Sequence, residues 1–158
     1  LSEDIEWYAF GAHGKPVGLE HVLREHANSV FVFDADCVLG KLHVEVAVRN
    51  ALRAFNRNKK IRTLGAWLSM YIGLSDQIST AKELCGVKTE TENFVFIVFG
   101  NLDRKEILEK TGLKEDNRVM EFTKEKAMRI FPADVLLSTP EQMWQYLVCE
   151  KIALLSIS

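Results

Sequence analysis

Cysteine is scarce: Cys37, Cys85 and Cys149 are widely separated, odd in number and form no CxxC pair. This argues against a disulfide scaffold and against a zinc site built from thiolates, and the three read as reduced, buried thiols. Proline is equally rare, with three residues, and no Pro/Gly/Ser-rich linker, low-complexity stretch or internal repeat divides the 158 residues. No apolar run approaches the roughly 18 residues of a membrane span. The start, Leu1-Ser2-Glu3-Asp4, lacks the basic-then-apolar order of a signal peptide, so a soluble, cytoplasmic protein is expected. A charge excess is missing as well, with 20 basic against 22 acidic side chains. Whole-molecule charge therefore predicts neither general nucleic-acid affinity nor attraction to an anionic membrane, and any electrostatic function must come from local clustering.

What is present suits one core. At 47% hydrophobic, the chain can bury its apolar surface within a single domain. Strands are expected over Glu6 to Ala12, Ser29 to Asp34 and, most clearly, Glu92 to Phe99, an almost uninterrupted aromatic and β-branched run that reads as a central strand. Helices are expected from Pro16 to His26, from Leu42 to Asn56, and over Leu64 to Ile72 and Gln77 to Cys85, hinged near Gly73. Asp103 can cap a helix running to Lys110; Arg118 to Phe122 reads as a further strand and Lys124 to Ile130 as a short helix. Ser138 or Thr139, Pro140 and Glu141 mark the start of a last helix reaching almost to the C-terminus. The order predicts an α+β domain with a mixed sheet of four or five strands packed with helices.

Enzyme motifs are mostly absent. Phe31-Val-Phe-Asp34-Ala-Asp36-Cys-Val38-Leu39 resembles the nucleophile loop of haloacid-dehalogenase-type phosphatases, in which one carboxylate attacks phosphorus, another acts as acid/base, and Mg²⁺ offsets the charge. That superfamily also needs a Ser/Thr at the end of a second strand and a downstream acidic pair, whereas Gly100 and Asn101 follow Phe99. Turn and cap roles for Asp34 and Asp36 are the preferred reading. His21 to His26 is one residue too long for an inverted zinc-protease motif. His43-Val-Glu45 lacks the Pro-Cys-x-x-Cys half of a deaminase site. Gly11, Gly14 and Gly18 lack phosphate-loop spacing, and neither Gly-Lys-Ser/Thr nor Gly-x-Ser-x-Gly occurs. No metal or cofactor is expected.

The outstanding asymmetry lies between Val46 and Ser75, which holds no Asp or Glu but contains Arg49, Arg53, Arg57, Lys59, Lys60 and Arg62. On a helix, Val44, Ala47, Val48, Ala51 and Phe55 share one face, and Arg49, Arg53 and Arg57 project about 140°, 180° and 220° from its centre. Such a stripe, continued by the Asn58 to Arg62 loop, suits the phosphates of single-stranded RNA, with Trp67 and Tyr71 offering rings to unstacked bases. The plainer reading is a solvated basic face with both rings in the core.

The residues around this patch resemble the small kinase-binding subunit of the KEOPS complex, the TPRKB family. The resemblance runs through His43, Val46 to Phe55, Lys60-Ile-Arg-Thr-Leu64, Tyr71-Ile-Gly73, Gln77-Ile78, Gly86, Phe94 to Phe99 and Glu150 to Leu154. It covers about two thirds of the chain and is weakest from Leu102 to Pro140. It implies a non-catalytic subunit that binds the KEOPS kinase/ATPase subunit and holds the single-stranded CCA end of tRNA, while a separate subunit transfers threonylcarbamoyl to adenosine. Under it Lys59, Lys60 and Arg62, beside Arg53 and Arg57, contact tRNA phosphates, and the helix starts around Thr63 and Gln77-Ile78 present backbone N–H groups to the acceptor end. The kinase is expected on exposed apolar positions of the C-terminal helix and the Leu64 to Ile72 helix, with Met143 and Trp144 in the core. Two positions depart from the family: Trp67 stands where Glu is usual, and Leu74 where Gly is usual, with Gly73 one place earlier. The rivals are the Mg²⁺-dependent phosphatase and a protein–protein adaptor without RNA contact.

Overall fold

The strongest apolar run, Asn93–Phe99, lies in the interior of the sheet and is buried on both sides. Phe94, Phe96 and Val98 point into one apolar cluster and Val95, Ile97 and Phe99 into another, as the two-residue period of a strand requires. The structure is a computed structural model that describes residues 4–58 and 62–157. In chain order the elements are β1 (Trp7–His13), α1 (Leu19–Glu25), β2 (Val30–Asp34), α2 (Lys41–Arg57), α3 (Leu64–Ile72), α4 (Ile78–Cys85), β3 (Asn93–Phe99), α5 (Arg104–Thr111), β4 (Lys114–Glu115), α6 (Lys124–Ile130), α7 (Ala133–Leu137) and α8 (Leu147–Ile157).

The sheet order is β2-β3-β1-β4. Each ladder is antiparallel, from Trp7↔Phe99 to His13↔Asn93 between β1 and β3 and from Val30↔Val98 to Asp34↔Phe94 between β2 and β3. The fold is thus the expected α+β domain, with four strands, but its sheet is antiparallel rather than mixed. β1 and β2 run the same way, joined through α1, and β3 inserts between them; β3 and β4 are joined through α5 and β1 lies between them. Two such split β-α-β units define the ferredoxin-like arrangement, here with α2, α3 and α4 inserted between its halves. Helices α1 and α5 cover one sheet face through Val22 and Ile107. The other face carries α2, α3 and the C-terminal helices, through Ala47, Leu52, Leu68, Val148 and Ile152 among others. No helix among the described residues is long and apolar enough to cross a membrane.

Three boundaries differ from expectation for local reasons. Arg118 to Phe122 is not a strand: Asn117–Met120 is a 3-10 turn capped by the Asp116 carboxylate, which accepts from Arg118 N–H. Its Asn117 Oδ1 takes the Gly11 N–H at 2.9 Å, a backbone group a longer strand would have used. Helix α1 starts at Leu19, after Gly18 with φ of 62°, so Pro16 lies outside it. The final helix is preceded by a 3-10 segment, Glu141–Tyr146, pinned where Trp144 Nε1–H donates to the carbonyls of Leu136 and Thr139. Trp144 packs on the core as expected, but Met143 is exposed.

Candidate nucleic-acid interface

Helix α2 is amphipathic as its sequence indicates: Val44, Ala47, Val48, Ala51 and Leu52 are buried, while Arg49, Arg53 and Arg57 are exposed on the opposite side. Its start is fixed by His43, which is wholly buried. The Leu39 N–H donates to Nδ1 at 3.0 Å and Nε2–H donates to the Tyr71 carbonyl at 3.1 Å, a pairing that defines one neutral tautomer. Burial pushes this imidazole down to about 4. Its ring is thereby committed to structure, and among the described residues no group of His, Cys, Asp and Glu is placed to hold a metal.

The His43–Tyr71 contact joins the start of α2 to the end of α3, so the two helices run antiparallel. The end of α2, with Arg53 and Arg57, therefore lies beside the start of α3, with Arg62 and Thr63. Gln77 and Ile78 sit beyond the far end of α3, separated from that group by the rise of a nine-residue helix, roughly 13 Å. The arginine-rich end and the start of α4 are thus two separate places on the surface. Lys59 and Lys60 lie outside the described residues.

At the first end, Thr63 is the N-cap of α3 and its Oγ1 accepts from Ala66 N–H at 3.1 Å. The Arg62 guanidinium lies 5.0 Å from the Trp67 ring centroid and Nη1 is 2.7 Å from Met70 Sδ. Arg62 is therefore half-buried against α3, its charge held partly by cation–π attraction. Tyr71 is 3% exposed and belongs to the core, which removes it as a stacking platform. Trp67 is half-buried, stacked on Tyr71 at 6.3 Å between centroids and flanked by Arg62.

At the second end, α4 begins without a side-chain cap at Gln77, whose own N–H donates to Ser75 Oγ at 3.1 Å. The preceding turn explains the shifted glycine. Gly73 has an ordinary right-handed conformation and is needed for contact: a Cβ there would lie 2.8 Å from Ala81 Cα and O and from Ser69 O. The left-handed conformation falls instead on Leu74, with φ of 53°, where glycine carries no steric penalty.

The other candidates take structural or partner-facing roles. Asp34 Oδ1 accepts from Asp36 N–H at 2.9 Å and Oδ2 from Thr91 Oγ1 at 3.3 Å, the cap and turn role preferred above. Asp36 faces Arg129 at 3.6 Å. A polar cleft of about 720 Å³ beside β4 contains Glu115, Asp116 and Arg118, but Asp116 pairs with Arg118 and Glu115 with Arg104. A more apolar groove of about 490 Å³ is lined by Ile72, Leu74, Phe131, Val135, Leu147 and Leu154. Exposed Leu84 and Leu154 both line it. Helix α3 enters this groove only at its end, because Leu64, Leu68, Met70 and Tyr71 are buried. The half-buried apolar residues of α3, Ala66 and Trp67, lie outside this groove. The contributions of α4 and α7 went unseen in the sequence, where exposed and core leucines look alike.

The fold and these two surfaces define a small α+β domain with a basic helix face and an apolar groove. No protein-family model matches the sequence, and no curated protein matches it.

Proposed function

We propose that this chain is a non-catalytic subunit of a KEOPS-type tRNA-modifying assembly, binding its kinase/ATPase subunit and positioning the CCA end of tRNA for threonylcarbamoyl transfer by a separate catalytic subunit. The supporting observation is the exposed Arg49-Arg53-Arg57 face of α2, which lies in a stretch of sequence free of acidic residues. Three guanidiniums at i, i+4 and i+8 follow one side of a helix over about 12 Å, which suits successive phosphates. Backbone N–H groups at the uncapped start of α4 would receive the terminal nucleotides, with Gln77 and Ile78 beside them. The apolar groove between α3, α7 and α8 is assigned to the kinase.

Replacing Arg49, Arg53 and Arg57 together with glutamine tests the RNA half. Such a variant is expected to bind tRNA at least about tenfold more weakly at low salt, with the log–log salt slope reduced by about one unit per lost contact. Equal affinity and equal slope would make the stripe a solvated face and reduce the molecule to a protein adaptor.

A further inference from the structure

Strand β2 is an edge of the sheet, pairing with β3 alone. The ladder fixes which of its backbone groups are used. Phe99 N–H donates to the Ser29 carbonyl at 2.7 Å, and Phe31 and Phe33 stand opposite Ile97 and Val95. Alternation in an antiparallel ladder then turns Ser29, Phe31 and Phe33 toward β3 and the main-chain groups of Val30, Val32 and Asp34 away from it. The Val30 N–H donates to the His26 carbonyl at 2.9 Å. The Val30 carbonyl, both groups of Val32 and the Asp34 N–H have no backbone partner among the described residues.

Little in Val30-Phe-Val-Phe-Asp34 blunts this edge, whose one charged side chain, Asp34, stands at its end. It contains no lysine or proline, and its register against β3 is continuous, without a bulge. Those are the devices by which monomeric proteins keep a free strand from pairing. The free groups are also self-complementary: an acceptor two residues before Val32, a donor two residues after it, and one of each on Val32 itself.

We propose that β2 pairs with β2 of a second copy of this chain, antiparallel about a two-fold axis at Val32, joining the two sheets into one. Val32 exchanges both of its hydrogen bonds with Val32 of the other copy, and each Asp34 N–H meets the Val30 carbonyl across the axis. All four of these free groups are then used. On one face Phe31 stands opposite Phe33 of the other copy, and because Phe33 is already buried in its own core the pairing rests on the backbone hydrogen bonds. On the other face Val30 stands opposite Asp34, so no like charges meet. A five-residue ladder is small beside a standard interface, so the dimer forms with rising concentration.

Sedimentation equilibrium over about a hundredfold range of concentration, combined with amide exchange at both extremes, tests the pairing. The mass is expected to approach twice that of one chain. Exchange at Val32 and Asp34 should slow as it does, while Phe31 and Phe33, already bonded to β3, stay protected throughout. Val32→Lys should weaken association at least about tenfold by placing two cations at the axis. If that variant fails to fold, the alternating protection in the unaltered chain still decides. A monomer over the whole range overturns the proposal, as does a dimer in which Val32 and Asp34 exchange unchanged. Protection of those two amides only when a different protein is added would assign the edge to a foreign strand and also overturn it.

Discussion

Replacing Lys126 with methionine is expected to destabilise the protein by about 3 kcal/mol, because three buried or half-buried carbonyls would lose their donor at once. The ammonium donates to Val38 O at 2.9 Å, Val119 O at 2.7 Å and Glu121 O at 3.0 Å, so each of its protons is used. These contacts tie α6 to the loop before α2 and to the 3-10 turn after β4, segments with little regular structure of their own. Burial lowers the pKa of Lys126, and removing the charge returns part of that desolvation cost, which limits the loss. For a domain of this size the melting temperature should fall by about 6–12 °C. Methionine fills nearly the same space, so a change below about 1 kcal/mol in denaturant unfolding would show that the carbonyls find other donors.

Acid should act through His43. Its folded-state pKa of about 4 is depressed from 6.5, chiefly by burial, and the charged imidazole has no place in a site where Nδ1 must accept from Leu39. A depressed histidine favours the folded state while neutral. Its contribution is therefore complete above pH 6.5 and is lost as pH falls toward 4. Between neutral pH and about 4.5 the loss should reach about 2–3 kcal/mol. His43→Gln does not titrate, so the difference in unfolding free energy between the natural chain and this variant should hold constant above pH 6.5 and shrink by that amount below it. Parallel curves through the acid range would exclude His43 as the source of acid sensitivity.

Local signals in the sequence carried well where a segment's own pattern decides its structure. Helix α2 could be read because its apolar residues repeat at helical spacing, and β3 because Phe94 to Phe99 are all buried, on one face or the other. Asp103 caps its helix through its side chain, as its position suggests. The losses came where a distant partner decides. Arg118 to Phe122 has strand-like residues, but the Asp116 carboxylate and the approach of this turn to Gly11 bend it into a 3-10 turn. Lys126 sits in a Lys-Glu-Lys run that looks solvated, yet its ammonium ends beneath a carbonyl 88 residues away in sequence.

The candidate interface divides the same way. The arginine stripe was legible because one helix carries all of it. The distance from that stripe to Gln77 and Ile78 was not, since it depends on the antiparallel packing of α2 and α3 through His43. Tyr71 and Arg62 likewise looked available for RNA, whereas one is core and the other rests on Trp67 and Met70. The glycine displacement at Gly73 and Leu74 was visible, but only the backbone separates its two consequences, close helix contact at one position and left-handed strain at the next.

Binding of intact tRNA compared with the same tRNA lacking its CCA end, at matched low ionic strength, tests the central claim most directly. A tRNA-positioning subunit should bind the intact molecule more tightly by at least about tenfold, or about 1.4 kcal/mol, and that preference should persist in the Arg49/Arg53/Arg57 glutamine variant even as overall affinity drops. Equal binding of the two RNAs would contradict recognition of the acceptor end.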